Sequence, residues 1–159
     1  MLTHVRAAVA PRRAPPSLPP QPVEPDAALV DSLGAIDDEE HILVLGGNGP
    51  DLMCALLRAG APQVTHLRPF ERPESESASL VIVPRVPSLD WLAIRLPWIR
   101  RALVANGRLA IRIDALPAMV TQVRRMLALH GFAAILARDA TGCQVLCAEV
   151  PAFGLRRCA

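Results

Sequence analysis

One short segment constrains the fold of this chain more than any other. The run 41–45 (HILVL) is apolar almost throughout, and Gly46, Gly47, Asn48 and Gly49 follow it at once. Strands that are apolar on both faces are typical of the centre of a parallel sheet, where helices cover both sides. The glycine cluster then predicts a tight turn into a helix. Together these features predict an α/β fold.

Strand and helix patterns alternate along the rest of the chain. Such alternation indicates a parallel sheet with right-handed crossovers, and the last two strands are close enough to form an antiparallel hairpin. The predicted fold is a three-layer, doubly wound, mostly parallel sheet of about six strands with this C-terminal hairpin. The predicted strands are 41–45, 63–67, 80–83, 108–113, 132–137 and 143–150, and the predicted helices are 26–36, 50–59, 89–104 and 115–130.

Several residues predict where these helices begin, bend and end. Ser88 and Asp114 are good N-caps for the third and fourth helices. Pro97 lies inside the third helix and should kink it or split it in two. The pair 106–107 (Asn-Gly) should end that helix, and 139–142 should form the hairpin turn.

The chain divides into a folded domain and two short tails. Residues 1–25 contain seven prolines, which favour extended, solvated conformations, so we expect a disordered tail. Such a segment can be a linker, a docking peptide or part of a targeting sequence. The predicted domain spans residues 26–151, and residues 152–159 form a C-terminal tail.

Composition excludes several classes of function. The net charge of +2 is too small to indicate nucleic-acid binding, and the arginines are scattered. No apolar run reaches the roughly 18–20 residues that a membrane helix needs. Four cysteines without a CxxC pair argue against a zinc site and indicate buried free thiols in a reducing cytoplasm.

Three stretches resemble the class I S-adenosylmethionine-dependent methyltransferases. The segment 41–50 is similar to their first strand and glycine-rich turn, and 79–113 is similar to their fourth strand, the following helix and the fifth strand. The segment 131–150 resembles their sixth and seventh strands. The resemblance implies the methyltransferase-like fold and S-adenosylmethionine as the cofactor.

The resemblance also implies where a cofactor would bind. Ligands of open α/β sheets lie beyond the carboxyl ends of the strands. The residues expected around such a pocket are Gly46, Gly47, Gly49, Arg68 and Arg85. The family's glycine-rich turn allows the backbone to approach the amino-acid end of the cofactor.

The chain departs from the family at three places. Asn48 and Pro50 stand where glycine is frequent and would crowd the cofactor. Arg68 stands where the family has an Asp or Glu that accepts hydrogen bonds from the ribose, and a guanidinium can only donate. Glu71 is the nearest acid, and a shifted loop could bring it to this place. The segment 69–79 is too short for the usual helix and third strand, so one edge of the sheet should be missing.

These departures lead to one principal hypothesis and two alternatives. The first is a methyltransferase-fold protein with weakened or lost S-adenosylmethionine binding, which acts with a protein partner or as a homo-oligomer. The second is an active small methyltransferase of unknown acceptor. In the third, Arg68 accepts the 2′-phosphate of NADP. No catalytic residue is assigned, and His66 and His130 are interpreted as structural or surface groups.

Overall fold

The computed structural model describes residues 25–47, 49–68, 71–114, 117–140 and 143–152. Residues 1–24 and 153–159, which carry most of the two predicted tails, lie outside the described residues. So do Asn48, with its predicted crowding of the cofactor, and the second half of the predicted hairpin turn.

Within the described residues, four helices and six strands follow one another in the predicted order. The helices are α1 (Pro25–Leu33), α2 (Gly49–Arg58), α3 (Leu89–Ala102) and α4 (Pro117–Leu129). The strands are β1 (His41–Leu45), β2 (Gln63–Leu67), β3 (Ala78–Val83), β4 (Leu103–Ile113), β5 (Ala133–Ala140) and β6 (Cys143–Glu149).

All six strands belong to one sheet with the order β2-β1-β3-β4-β6-β5. Neighbours from β2 to β4 are parallel, and β6 runs antiparallel to both β4 and β5. The predicted mixed sheet with a C-terminal hairpin is therefore confirmed. In the part of the chain that the structure describes, no strand lies beyond β2. The strand that is third in the resembling family is therefore missing there, as predicted.

The core consists of two layers on opposite faces of the sheet. Successive strand residues alternate between the layers: Leu43 and Leu45 face α3 and α4, whereas Ile42 and Val44 face α1 and α2. Such burial on both faces explains why these strands read as continuous aliphatic runs.

The third helix begins as predicted but is not divided. The Ser88 hydroxyl accepts a hydrogen bond from the Trp91 backbone N–H at 3.1 Å and caps the first turn. One continuous helix passes through Pro97, so the predicted split is wrong. The ring of Pro97 is exposed, and so is Ala93 one turn earlier, whose carbonyl would otherwise accept from residue 97. Water can hydrate that carbonyl, and the helix tolerates the proline.

The predicted end of this helix at 106–107 is wrong. The helix ends at Ala102, and β4 begins at the next residue. Asn106 has a φ of 62° and its N–H donates to the Val150 carbonyl at 3.0 Å, while the Val150 N–H donates to the Gly107 carbonyl at 2.8 Å. Asn tolerates this left-handed conformation better than most residues, so the pair kinks a strand.

Three further predictions need correction. Asp114 does not begin α4, which starts at Pro117; its carboxylate accepts from Arg112 Nε at 2.7 Å. The first helix ends at Leu33 rather than 36. Asp139 and Ala140 extend β5 instead of forming the hairpin turn.

The cysteines agree with only part of the prediction. Cys54, Cys143 and Cys147 are free thiols, but Cys54 is exposed and the other two are half-buried. The description "buried" is thus wrong for Cys54. The fourth cysteine lies outside the described residues.

The Arg108 side chain fastens α1 and the connector after it to the sheet. Arg108 in β4 donates to the Glu40 carboxylate at 2.6 Å and to the Leu33 and Ala35 carbonyls at 3.2 and 3.4 Å. Glu40 is only 5% exposed. Arg138 in β5 adds a hydrogen bond to the Ser32 carbonyl. Two guanidinium groups thus satisfy carbonyls at and just beyond the end of α1, where a helix leaves its acceptors unpaired.

Candidate functional site

The strand order brings the predicted site residues to the edge of the sheet that is formed by the carboxyl ends of the parallel strands. β1 lies between β2 and β3, so the turn after β1 has Arg68 on one side and Arg85 on the other. This is the edge where ligands of open α/β sheets bind. The sequence therefore identified which residues meet at this edge, but it did not identify the side chains that fill it.

Pro84 lies directly against the glycine-rich turn. A Cβ atom on Gly47 would be only 2.5 Å from Pro84 Cγ, well inside van der Waals contact. Pro84 follows the last residue of β3 and is buried. Gly47 is thus required by the packing of this chain on itself, and its φ of 70° adds a second requirement for glycine.

His66 occupies the equivalent position beside the start of α2. A Cβ atom on Gly49 would be 2.4 Å from His66 Cδ2. The imidazole is half-buried, and its buried Nε2 atom makes no hydrogen bond with any described residue. The prediction that His66 is a structural or surface group did not place it at the glycine-rich turn, because one residue in β2 gives no signal of what it faces across the sheet.

The first glycine of the turn has more room. A Cβ atom on Gly46, which has a φ of 73°, would be 3.8 Å from Trp91 Cζ2, an ordinary contact distance. The Trp91 ring carries the Arg95 guanidinium 4.3 Å from its centroid. The turn is therefore contacted by side chains from β2, from the residue after β3 and from α3.

A carboxylate does reach the end of β2, although not from the expected position. Glu71 Oε2 accepts a hydrogen bond from the Arg68 backbone N–H at 3.0 Å, and the Glu71 N–H donates to the Arg68 carbonyl at 3.1 Å. This turn brings an exposed carboxylate to the strand end where the resembling family has its acid. The alternative in which Glu71 comes round through the loop thus has a geometric basis.

The two arginines of the predicted site are exposed donors. Neither Arg68 nor Arg85 makes a side-chain hydrogen bond or ion pair with residues of the described ranges, and both lie in solvent. They can attract an anion, but they cannot accept hydrogen bonds from hydroxyl groups.

Elsewhere, Cys147 in β6 has a thiol whose pKa is raised above its ordinary value. Burial raises the pKa of its thiol, and the nearby Arg138 and Arg108 guanidinium groups oppose the effect. The thiol lines a cavity of about 90 Å³ near the end of α1, together with both arginines. A raised pKa leaves little thiolate at neutral pH, so this cysteine is a poor nucleophile.

The described residues offer no obvious metal centre and no membrane span. No three His, Cys, Asp or Glu side chains within them lie close enough together to hold an ion. None of the helices they form combines the length and the apolar character required to cross a bilayer.

Comparison with solved structures identifies the fold. The ribosomal protein L11 methylase of Lactobacillus delbrueckii subsp. bulgaricus matches with a TM-score of 0.63 and 12% identity, over 79% of this chain and 77% of that one. A candidate methyltransferase from Haloferax volcanii, in complex with the Trm112 methyltransferase activator, matches with a TM-score of 0.59 and 10% identity, over 78% and 87%.

A third match has a cofactor in place. The 16S rRNA methyltransferase of T. thermophilus, in complex with S-adenosylmethionine and guanosine, has a TM-score of 0.53 and 14% identity; 81% of this chain corresponds to 39% of that one. No protein-family model and no curated protein sequence matches the chain. At these identities the likeness shows the fold alone: this chain has the class I methyltransferase-like fold.

Proposed function

We propose that this chain is a methyltransferase-fold protein whose S-adenosylmethionine binding is weakened or lost, and that it acts through contacts with proteins. The contact between Pro84 and Gly47 carries the proposal. In the resembling family, the glycine-rich turn gives the cofactor close access to the backbone. Here the buried Pro84 ring lies so close to Gly47 that a Cβ atom there would be 2.5 Å from Pro84 Cγ, and we infer that the ring narrows this access.

Two further observations support the proposal. His66 lies against Gly49 as Pro84 lies against Gly47, so a Cβ atom at two of the three predicted glycines would collide with a side chain of the chain itself. Arg68 offers only donors where the ribose hydroxyls need acceptors. We infer that the residues at this edge do not fit S-adenosylmethionine, and we assign no methyl-transfer step to them.

Contacts with proteins would use the outer side of β2, which the shortened segment 69–79 leaves without a neighbouring strand. β2 is an edge strand, and within the described residues no strand pairs with its outer side. Unpaired strand edges are sites where other chains add. The H. volcanii match is a precedent for this fold in complex with a protein activator.

Calorimetry tests the loss of cofactor binding. The full chain is titrated with S-adenosylmethionine and with S-adenosylhomocysteine, and we expect no binding heat with either. A dissociation constant in the micromolar range would contradict the proposal. Arg68→Asp alone restores the acid but keeps the Pro84 ring, so we expect it also not to bind. Arg68→Asp combined with Pro84→Ala restores the acid and removes the Pro84 ring, and binding gained only by this double variant would support the proposal.

The position of Glu71 favours a second candidate, an active small methyltransferase. Its carboxylate reaches the end of β2 through the hydrogen bond to Arg68 N and could accept from a ribose. If the wild-type chain binds S-adenosylmethionine and Glu71→Ala lowers the affinity at least about tenfold, or 1.4 kcal/mol, this candidate replaces the first. Equal binding by wild type and Glu71→Ala would remove this role of Glu71.

A further inference from the structure

Both tryptophans of the chain lie on one stripe of α3. Trp91 and Trp98 are seven residues apart, and Ile94 lies between them and is 61% exposed. Both indole rings are half-buried. We call Trp91, Ile94 and Trp98 the α3 stripe. It is apolar and accessible, and it lies beside the buried face of the helix, which is formed by Leu92, Leu96, Ile99 and Ala102.

The stripe lies on the side of α3 that faces the shortened segment between β2 and β3. Trp91 is next to Gly46 at the end of β1, and Arg72 of that segment stacks over Trp98, 4.7 Å from the ring centroid. Arg95 stacks over Trp91 in the same way. Each ring thus has a guanidinium on one face, which fixes its orientation.

The spacing of the two tryptophans along α3 suits a particular kind of ligand. Seven helical residues rise about 10.5 Å at 1.5 Å each. A polyproline II helix advances about 9.3 Å for every three residues, so prolines three apart present rings at nearly this spacing. Proline-rich segments bind aromatic surfaces in this way, and they lose little conformational entropy on binding.

The chain itself carries a segment with this period. Prolines occur at every third position from Pro16 through Pro19 and Pro22 to Pro25, the first residue of α1. Such residues fall on one edge of a polyproline II helix, which has three residues per turn. No charged side chain lies between residues 16 and 22, so the segment brings no arginine close to Arg72 or Arg95.

A chain cannot place these prolines on its own stripe. α1 packs on one face of the sheet and α3 on the other. Packed layers are roughly 10 Å apart, so about 20 Å separates the two helices even through the sheet. Three residues of extended chain span at most about 10 Å and six at most about 22 Å, so neither Pro22 nor Pro19 can pass around the sheet to the stripe of its own chain, and Pro16 alone cannot cover both tryptophans.

We propose that the α3 stripe binds the proline segment 16–22 of a second copy of this chain. Reciprocal exchange of the two segments closes a twofold dimer, in which each copy covers the tryptophans of the other. This inference deepens the proposed function and rests on it, since it names one protein contact of the fold, on α3, in addition to the open edge of β2.

Tryptophan fluorescence reports directly on this contact, because the two tryptophans of the chain are both in the stripe. The full chain is compared with Pro16→Ser/Pro19→Ser/Pro22→Ser, which removes the in-register prolines. Its matched control is Pro11→Ser/Pro15→Ser/Pro20→Ser, which removes as many prolines from other positions. Far-UV circular dichroism checks that all three are equally folded.

We expect the wild type and the control to form dimers by sedimentation and to protect tryptophan from acrylamide as the concentration rises. The in-register variant should be monomeric at the same concentrations, with its dimer dissociation constant raised at least about tenfold. Equal behaviour of the two triple variants, a wild type that is monomeric, or protection that does not depend on concentration would each overturn the proposal.

The same samples are also titrated with S-adenosylmethionine. Micromolar binding would reject the proposed loss of cofactor binding whatever the tail does. A failure of the proline variants to differ, without cofactor binding, would reject only the tail exchange.

Discussion

His66, in β2, lies against Gly49, the first residue of α2, so closely that no Cβ atom fits between them. A second contact of the same kind, between Pro84 and Gly47, lies on the other side of β1, because Pro84 follows β3. Two of the glycines that resemble a cofactor-binding turn therefore have a purely internal explanation. Their presence in the sequence does not by itself indicate a bound ligand.

The Gly47 contact predicts a difference between two neighbouring substitutions. Gly46 and Gly47 have nearly the same φ, 73° and 70°, so alanine costs about 1–2 kcal/mol of backbone strain at either position. Only Gly47→Ala also collides with the rigid Pro84 ring, which adds about 1–3 kcal/mol. Urea unfolding without any cofactor should show Gly47→Ala to be the less stable variant. Equal stability of the two variants would disprove the contact.

The Gly49 contact predicts energetic coupling across the two elements. Gly49→Ala improves helix propensity but must displace the His66 ring, so we expect a net loss of unfolding free energy. In His66→Ala the space is free, and Gly49→Ala should there be neutral or stabilising. A double-mutant cycle measured by urea unfolding should give a coupling of about 1–2 kcal/mol. Additive effects would show that the residues do not touch.

Removal of the Glu40–Arg108 ion pair should lower the stability of the protein more than removal of the Arg112–Asp114 ion pair. Glu40 is 5% exposed, whereas Asp114, which pairs with Arg112, is 42% exposed. Removing a charge-assisted hydrogen bond from a buried partner costs about 1–3 kcal/mol, so Glu40→Gln should lower thermal stability clearly. Asp114→Asn should change the unfolding free energy by less than about 1 kcal/mol. A larger loss of stability in Asp114→Asn than in Glu40→Gln would contradict the greater contribution of the buried ion pair.

The environment of Cys147 predicts its reactivity with pH. Because burial raises the pKa of this thiol, its thiolate forms only at a pH above that of an ordinary cysteine. Alkylation by iodoacetamide, followed by mass spectrometry, should modify exposed Cys54 first, and the rate at Cys147 should still be rising at alkaline pH. Arg138→Gln removes a charge that lowers the pKa, so it should move the Cys147 profile further upward. A downward shift in that variant would contradict this arrangement.

The sequence predicted the strands better than the helix ends. His41–Leu45 and Gln63–Leu67 occur at the predicted bounds, because burial on both faces leaves a continuous apolar signal. Asn106 and Asp114 have side chains that suit helix ends, but a strand pairing and an ion pair use them instead. Local preference is a weak guide where long-range contacts compete for the same residue.

At the candidate site, the sequence predicted positions but not side-chain contacts. The alternation of strands and helices allows the strand order to be inferred. This is why the sequence could predict that one edge of the sheet carries Gly46, Gly47, Gly49, Arg68 and Arg85. The positions of Pro84 and His66 depend on packing between neighbouring strands, for which a single sequence contains no periodic signal. The sequence leaves open the alternative that Glu71 reaches the end of β2, because Glu71 is only three residues beyond Arg68 and such a short loop can fold back on a strand end.

The hydrogen bonds around α1 also have a mechanical consequence. Arg108 and Arg138 hold the last carbonyls of this helix from β4 and β5, although β1 is the next strand along the chain. A pull on the N-terminal segment would therefore be resisted by polar contacts with strands far away in the sequence. Force applied to the N-terminal segment would therefore be transmitted through α1 to β4 and β5, on the antiparallel side of the sheet, before it stretched the connector between α1 and β1.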